Sequence, residues 1–335
     1  MISIRREISL LPYNTFGIPA IASVFVELDH SVDLSEYVRS LSDPSEVFVL
    51  GEGSNILLVS ERSNVIIHPV MKGIELTDET DDHVTVRAGA GEHWDDFVGW
   101  CVDRHYAGVE NLSLIPGSVG ACPVQNIGAY GTEAEETIIM VETIEKTTGK
   151  FISFTNQQCE FGYRNSLFKK NKGKYIITAV RFNLSKRFEP NIRYAGLETE
   201  LSCYPSVTLE NVRQAVISIR NRKLPDPSKL GNSGSFFKNP TIDAKKSDEI
   251  NQIYPQAPLY PAACGLWKIS AAWLIQQCGW KGIREGNVGV YPQQPLVIVN
   301  YGGATGKEIL DFARKIIGSV HQKFGIRLEP EVNIH

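Results

Sequence analysis

Short apolar runs alternate with amphipathic stretches along the first third of this chain. Val47–Leu50, Val65–His68 and Val84–Ala88 are rich in β-branched residues, are bounded by Gly or Pro, and predict strands. Trp94, Phe97, Val98, Cys101 and Val102 recur at i, i+3, i+4, i+7 and i+8, which predicts a helix over Glu92–Asp103. Further strands are expected at Thr137–Glu145, Tyr175–Phe182 and Leu296–Asn300. Thr208 is placed to cap a helix that buries Val212, Ala215, Val216 and Ile219 and stops before Leu224-Pro225-Asp226-Pro227, a stiff breaker and a candidate domain boundary. Beyond it, one helix is expected over Ala271–Cys278, stopped by Gly279. Another is expected over Lys307–Phe324, stopped by Gly325 and burying Ile309, Phe312, Ala313, Ile316, Ile317, Val320 and Phe324. The order lacks the regular β-α alternation of a doubly wound sheet, so the fold class expected is α+β.

One segment has neither period. Leu114–Gly131, LIPGSVGACPVQNIGAYG, carries four Gly and two Pro and no charge. Such a segment is either a buried structural loop or a cradle of backbone N–H groups for an anion or a heterocycle. A second glycine loop, Gly51-Glu52-Gly53-Ser54-Asn55, directly after the run Val47–Leu50, favours the cradle. The dinucleotide fingerprint nevertheless fails, because Ile56 stands where the third glycine of the first loop is needed, and Trp94 where the glycine after Gly89-x-Gly91 is needed. Gly302–Glu308 is too short for a phosphate loop, and Gly302-Gly303 is expected to be a turn.

With 335 residues the chain suits two or three domains. A formal net charge of −4 offers no electrostatic footprint for nucleic acid or an anionic membrane. Lys169, Lys170, Lys172 and Lys174 surround Asn171 and Gly173 and are expected on a solvated hairpin turn. The six cysteines show no C-x-x-C pair and no metal spacing, so reduced thiols, no metal site and a cytoplasmic location are expected. No run approaches the roughly twenty apolar residues of a membrane span.

The two glycine loops together resemble the flavin-binding half of the UDP-N-acetylenolpyruvoylglucosamine reductases. The same family's order and spacing continue through Asn14-Thr15-Phe16-Gly17, Phe161-Gly162-Tyr163-Arg164-Asn165-Ser166, Lys223–Pro227 followed by Gly231-Asn232-Ser233-Gly234-Ser235-Phe236-Phe237-Lys238-Asn239-Pro240, and Leu328-Glu329-Pro330-Glu331-Val332. The resemblance implies the vanillyl-alcohol-oxidase/PCMH-type FAD-binding fold, made of two α+β subdomains with a C-terminal α+β substrate-binding domain. The implied division is 1–70 (joined by 325–335), 71–222 and 223–324. It also implies non-covalent FAD, NADPH as electron donor, a UDP-sugar enolpyruvate as substrate and a monomeric chain. Gly51, Gly53, Ser54, Asn55, Pro116, Gly117, Ser118, Gln125, Asn126 and Gly128 are expected to hold the cofactor.

For the chemistry, the resemblance assigns Arg164, Ser235 and Glu331. Hydride addition to the enol methylene builds negative charge that spreads into the neighbouring carboxylate. A fixed guanidinium stabilises that charge as it grows. Ser235 is expected to protonate the adjacent carbon, and Glu331 to polarise the enolate or assist the transfer. Tyr130, Tyr194, Lys223, Asn239, Lys281 and Gln294 are expected on the substrate, with Tyr194 marking the longer, loop-bearing subtype. Tyr291-Pro292 and Cys264-Gly265-Leu266-Trp267 depart from the family pattern. A flavin oxidase of the same fold and a non-catalytic nucleotide-sugar binder are the competing expectations.

Overall fold

The computed structural model describes residues 2–194 and 196–335, and the chain forms two compact units. The first comprises 2–8, 21–52 and 62–222, and the second 9–20, 53–61 and 223–335. The chain thus passes from one unit to the other inside the first glycine loop, between Glu52 and Gly53, and again at the end of the helix Leu209–Lys223. No helix among the described residues is long and apolar enough to cross a membrane.

Among its described residues the first unit holds two larger sheets and a two-stranded ribbon, Gly128–Ala129 against Thr132–Glu133. In one, strands Ile2–Ser9, Ile21–Leu28, Arg62–Pro69 and Val47–Val49 lie side by side in that order. Ile21–Leu28 and Val47–Val49 both run parallel to Arg62–Pro69, because the helix Ser31–Ser40 carries the chain back between them. The other is antiparallel, in the order Phe151–Thr155, Ile138–Glu145, Tyr175–Ser185, His83–Gly89, Ile74–Glu79. The helix Trp94–Val102 turns its predicted stripe onto this sheet, where Phe97 meets Phe182 at 4.7 Å between ring centroids. Val119 and Cys122 belong to the same core, so the uncharged segment 114–131 is partly the buried loop that was one of its two readings. Thr208 Oγ1 accepts the amide of Asn211 to cap Leu209–Lys223, and Val212, Ala215, Val216 and Ile219 are buried as the periodicity requires.

The lysine cluster does not form a hairpin turn. Ser166 Oγ accepts the amides of Phe168 and Lys169, which starts a short helix, Leu167–Lys170. Asn171 then turns the chain into Tyr175–Ser185. A capping hydroxyl just before the cluster outweighs the turn signal of Asn171 and Gly173.

The second unit carries the antiparallel sheet Gly231–Ser235, Val297–Asn300, Val288–Val290, Arg284–Glu285, in that order. Its long helix, Gly306–Phe324, begins with a reciprocal box between Thr305 and Glu308 and ends on Gly325 at φ 67°, whose N–H returns to His321 O at 2.8 Å. All the apolar positions expected inside are buried except Ile317, which is half-buried. Residues 302–303 form the expected turn ahead of this helix. Ile56–Leu57 pairs in parallel with Asn333–Ile334, so the last strand is held by the segment following the first glycine loop.

Candidate active site

Within the first unit, Gly51 and Glu52 of the first glycine loop meet the segment 114–131. A Cβ on Gly51 would lie 3.2 Å from Ser118 Oγ, and the Glu52 carboxylate accepts the amide of Gly117. Burial pushes Glu52 above the usual carboxylate range, opposed by His93, whose Nε2 stands 3.5 Å from the carboxylate. Among the described residues of the first unit, no protein acceptor takes the amide N–H of Gly51, Glu52 or Ser118. Such a row of unspent donors fits the diphosphate of a dinucleotide cofactor. Gly53 is required for another reason. At φ 65° its Cβ would fall 2.0 Å from the carbonyl oxygen of Tyr13 in the second unit. Asn55, in that same unit, receives the amide of Asn333 on its carbonyl at 3.1 Å, and its Nδ2 reaches Glu331 O at 3.5 Å. Burial pushes the Cys122 thiol well above its ordinary value, which disfavours the thiolate.

Further along the first unit, eighteen-residue segment 114–131 ends in a frame built around Arg164. The guanidinium donates through Nη2 to Gly128 O and through Nη1 to Asn126 O at 3.4 Å, and Nη1 stands 3.8 Å from Glu133 Oε1. A Cβ on Gly128 would sit 2.8 Å from Nη1 and 2.9 Å from Glu133 Cγ, so only glycine leaves room for both. Arg164 (φ 51°), Asn126 (φ 47°) and Tyr130 (φ 50°) all adopt left-handed backbone, a conformation that costs a non-glycine residue about 1–3 kcal/mol. Asn126 is fully buried. Its Nδ2 donates to Glu133 Oε2 at 2.7 Å and its Oδ1 accepts the amide of Glu135 at 2.9 Å. Such a frame presents one aimed planar cation, the geometry for gripping a carboxylate.

Ser235 and Glu331 belong to the second unit, which brings them close through backbone. Ser235 ends the strand Gly231–Ser235 opposite Val297, and the amide of Glu331 donates to Phe236 O at 2.8 Å. Gly234 (φ 71°) and an irregular register after Asn232 turn the chain just before Ser235. Of the residues expected on substrate, Tyr130 and Tyr194 meet edge to face in the first unit, with ring centroids 5.2 Å apart. Lys223, Asn239, Lys281 and Gln294 lie in the second. Lys223 and Lys281 are exposed, Asn239 Oδ1 accepts the amide of Ala271 at 2.9 Å, and Gln294 Oε1 accepts that of Leu296 at 3.4 Å.

Several residues at the site carry no sequence signal of their own. Glu52 and His93 brace the junction of the loops, and Glu133 braces Arg164. Arg220 donates to Leu114 O at 3.2 Å and bonds to the Tyr130 hydroxyl. Burial pushes this guanidinium below its ordinary value, and burial pushes Tyr130 up. One clue to Arg220 was available, since it falls four residues after Val216, on the apolar stripe of its helix. Asp95 accepts the amide of Leu114 at 2.5 Å and pairs with Arg213 at 2.6 Å, anchoring the entrance to the segment.

A family model described as FAD binding domain matches residues 22–155, and one described as UDP-N-acetylenolpyruvoylglucosamine reductase, C-terminal domain, matches residues 226–335. Over 328 residues the chain is 46% identical to the UDP-N-acetylenolpyruvoylglucosamine reductase of Xylella fastidiosa (strain M12), covering 96% of this chain and 93% of that protein. Over 330 residues it is 44% identical to the protein of the same name from Bacteroides fragilis (strain YCH46), covering 98% and 99%. Among solved structures, the UDP-N-acetylenolpyruvylglucosamine reductase of Thermus caldophilus matches with a TM-score of 0.71 at 22% identity, over 100% of this chain and 99% of that one, a likeness of fold.

Proposed function

The chain belongs to the UDP-N-acetylenolpyruvoylglucosamine reductase family, and from that premise we propose that it uses NADPH to reduce the enolpyruvyl ether of UDP-N-acetylglucosamine enolpyruvate, giving UDP-N-acetylmuramate. The chemistry that FAD supplies when bound is two-electron transfer, as hydride, from NADPH to the methylene carbon of the enol ether. Gly51, Gly53, Ser54, Asn55, Pro116, Gly117, Ser118, Gln125, Asn126 and Gly128 are proposed to hold it without a covalent link, the unspent amides facing its diphosphate.

Arg164 is proposed to bind the substrate carboxylate through parallel N–H donors. It favours the enolate-like transition state over the ground state, because the charge it faces grows along the reaction. Ser235 delivers its hydroxyl proton to the carbon next to the carboxylate, so the electron pair left there by hydride addition ends in a C–H bond. Glu331 assists by polarising that centre. An unaided serine is a poor acid, which is why it needs such a companion. Tyr130, Tyr194, Lys223, Asn239, Lys281 and Gln294 are proposed to receive the nucleotide-sugar, the lysines by charge and the tyrosines by ring and hydroxyl.

The observation that carries this function is the immobilised guanidinium of Arg164, aimed by two carbonyls on strained backbone. Its test is NADPH consumption by the purified, flavin-loaded protein with and without the enolpyruvyl sugar. Consumption that depends on the sugar is expected. Oxygen-dependent consumption indifferent to the sugar would identify a flavin oxidase instead.

A further inference from the structure

We propose that Glu133 is a positioning residue for Arg164, keeping the guanidinium aimed at the substrate carboxylate; this rests on the function proposed above. At 3.8 Å from Nη1, Glu133 Oε1 is too far for a hydrogen bond and acts on the guanidinium by charge alone. Its second oxygen acts through Asn126. Oε2 accepts from Asn126 Nδ2 at 2.7 Å, and the carbonyl of that same asparagine accepts from Arg164 Nη1 at 3.4 Å. The Glu133 carboxylate caps the short helix Ala134–Glu136 by accepting the amide of Glu136, while Glu136 Oε1 accepts the amide of Glu133 at 2.7 Å.

A carboxylate close to a cation that must hold another carboxylate costs electrostatic affinity, so its presence calls for a compensating gain. That gain is geometric. Asn126 and Arg164 both occupy left-handed backbone, and strained backbone persists only where its surroundings over-determine it. Asn126 and Arg164 are joined directly and through Gly162, whose carbonyl accepts from Asn126 Nδ2 at 3.3 Å; Glu133 adds a charged brace to both, and Gly128, lacking a Cβ, leaves the space through which it does so. A guanidinium freed from this frame would still attract the carboxylate but would lose the orientation on which a two-point grip depends.

The experiment uses the flavin-loaded protein and the variants Glu133→Ala, Glu133→Ser, Glu133→Gln, Arg164→Lys and the double variant Glu133→Ala/Arg164→Lys. Glu133→Ala is expected to lower kcat/KM for the enolpyruvyl sugar about 30-fold, chiefly through KM, with reduction of bound flavin by NADPH within about twofold of wild type. Glu133→Ser keeps a helix cap but cannot reach Asn126, and is expected to behave alike, so the test survives if Glu133→Ala fails to fold. Glu133→Gln still accepts from Asn126 and should recover to within about threefold. On the Arg164→Lys background the alanine substitution should cost less than about threefold, since both act on one contact. A wild-type kcat/KM in Glu133→Ala and Glu133→Ser, additive losses in the double variant, or an equal loss in the NADPH half-reaction would overturn the role of Glu133. Lack of sugar-dependent turnover in the wild type would instead remove the proposed function, and this inference with it.

Discussion

Arg164 is aimed by two backbone carbonyls and a neighbouring carboxylate on strained backbone, whereas Ser235 stands at the end of an ordinary antiparallel ladder and a glycine turn. The contrast follows from what each group is proposed to do. A planar guanidinium grips a carboxylate only in one orientation, so its surroundings must exclude the others. A hydroxyl rotates about a single bond, so placing the backbone suffices to place the proton. Substitutions around Arg164 should therefore yield graded, geometric losses, and the loss at Ser235 should be chemical and abrupt.

The sharpest break is Ser235→Ala. Turnover with the enolpyruvyl sugar should collapse by a factor on the order of a thousand, while NADPH still bleaches the flavin at a near-normal rate in stopped flow. Slow flavin reduction would mean that Ser235 shapes the cofactor site instead, and the contrast would vanish. Next in size is Gly128→Ala. The added methyl would press on Arg164 Nη1 and Glu133 Cγ, costing roughly 1–2 kcal/mol and lowering kcat/KM about tenfold. An unchanged kcat/KM would show that the guanidinium is less tightly framed than these distances imply.

The smallest effect belongs to Asp95, which anchors the entrance to segment 114–131. Burial alone would raise its carboxyl, but the hydrogen bonds from Arg213 and the Leu114 amide outweigh burial and hold it below the usual range. A carboxylate depressed in the folded state stabilises above its unfolded value, near about 3.9, and loses that contribution as pH falls through the folded value. Asp95→Asn should thus cost about 1 kcal/mol at neutral pH, with wild-type and variant urea midpoints converging as pH falls below the unfolded value. Midpoints that stay equally separated in acid would place the effect of Asp95 in packing rather than charge.

The site was unevenly legible in the sequence. The segment 114–131 stands out because it lacks any period and any charge, and the left-handed turns at Asn126 and Tyr130 explain why no helix or strand pattern could be written there. At Lys169–Lys174 composition points to a turn, while one hydroxyl, Ser166, starts a helix ahead of it. Glu133 is silent in the sequence because its importance lies in what it touches, and a glutamate in a polar stretch has no pattern of its own.

By itself the sequence determined the helices Trp94–Val102, Leu209–Lys223 and Gly306–Phe324, the central strands and the two glycine loops. Each of these depends on neighbours a few residues away, through apolar period, caps and backbone freedom, and such information is local. Only the tertiary structure decided that Glu52 braces Gly117, that Arg220 reaches Leu114 and Tyr130, and that Asn126, Gly128 and Glu133 enclose Arg164. Hydrogen bonds and charges satisfy one another by distance in space, and distance in space is set only when distant segments have folded together.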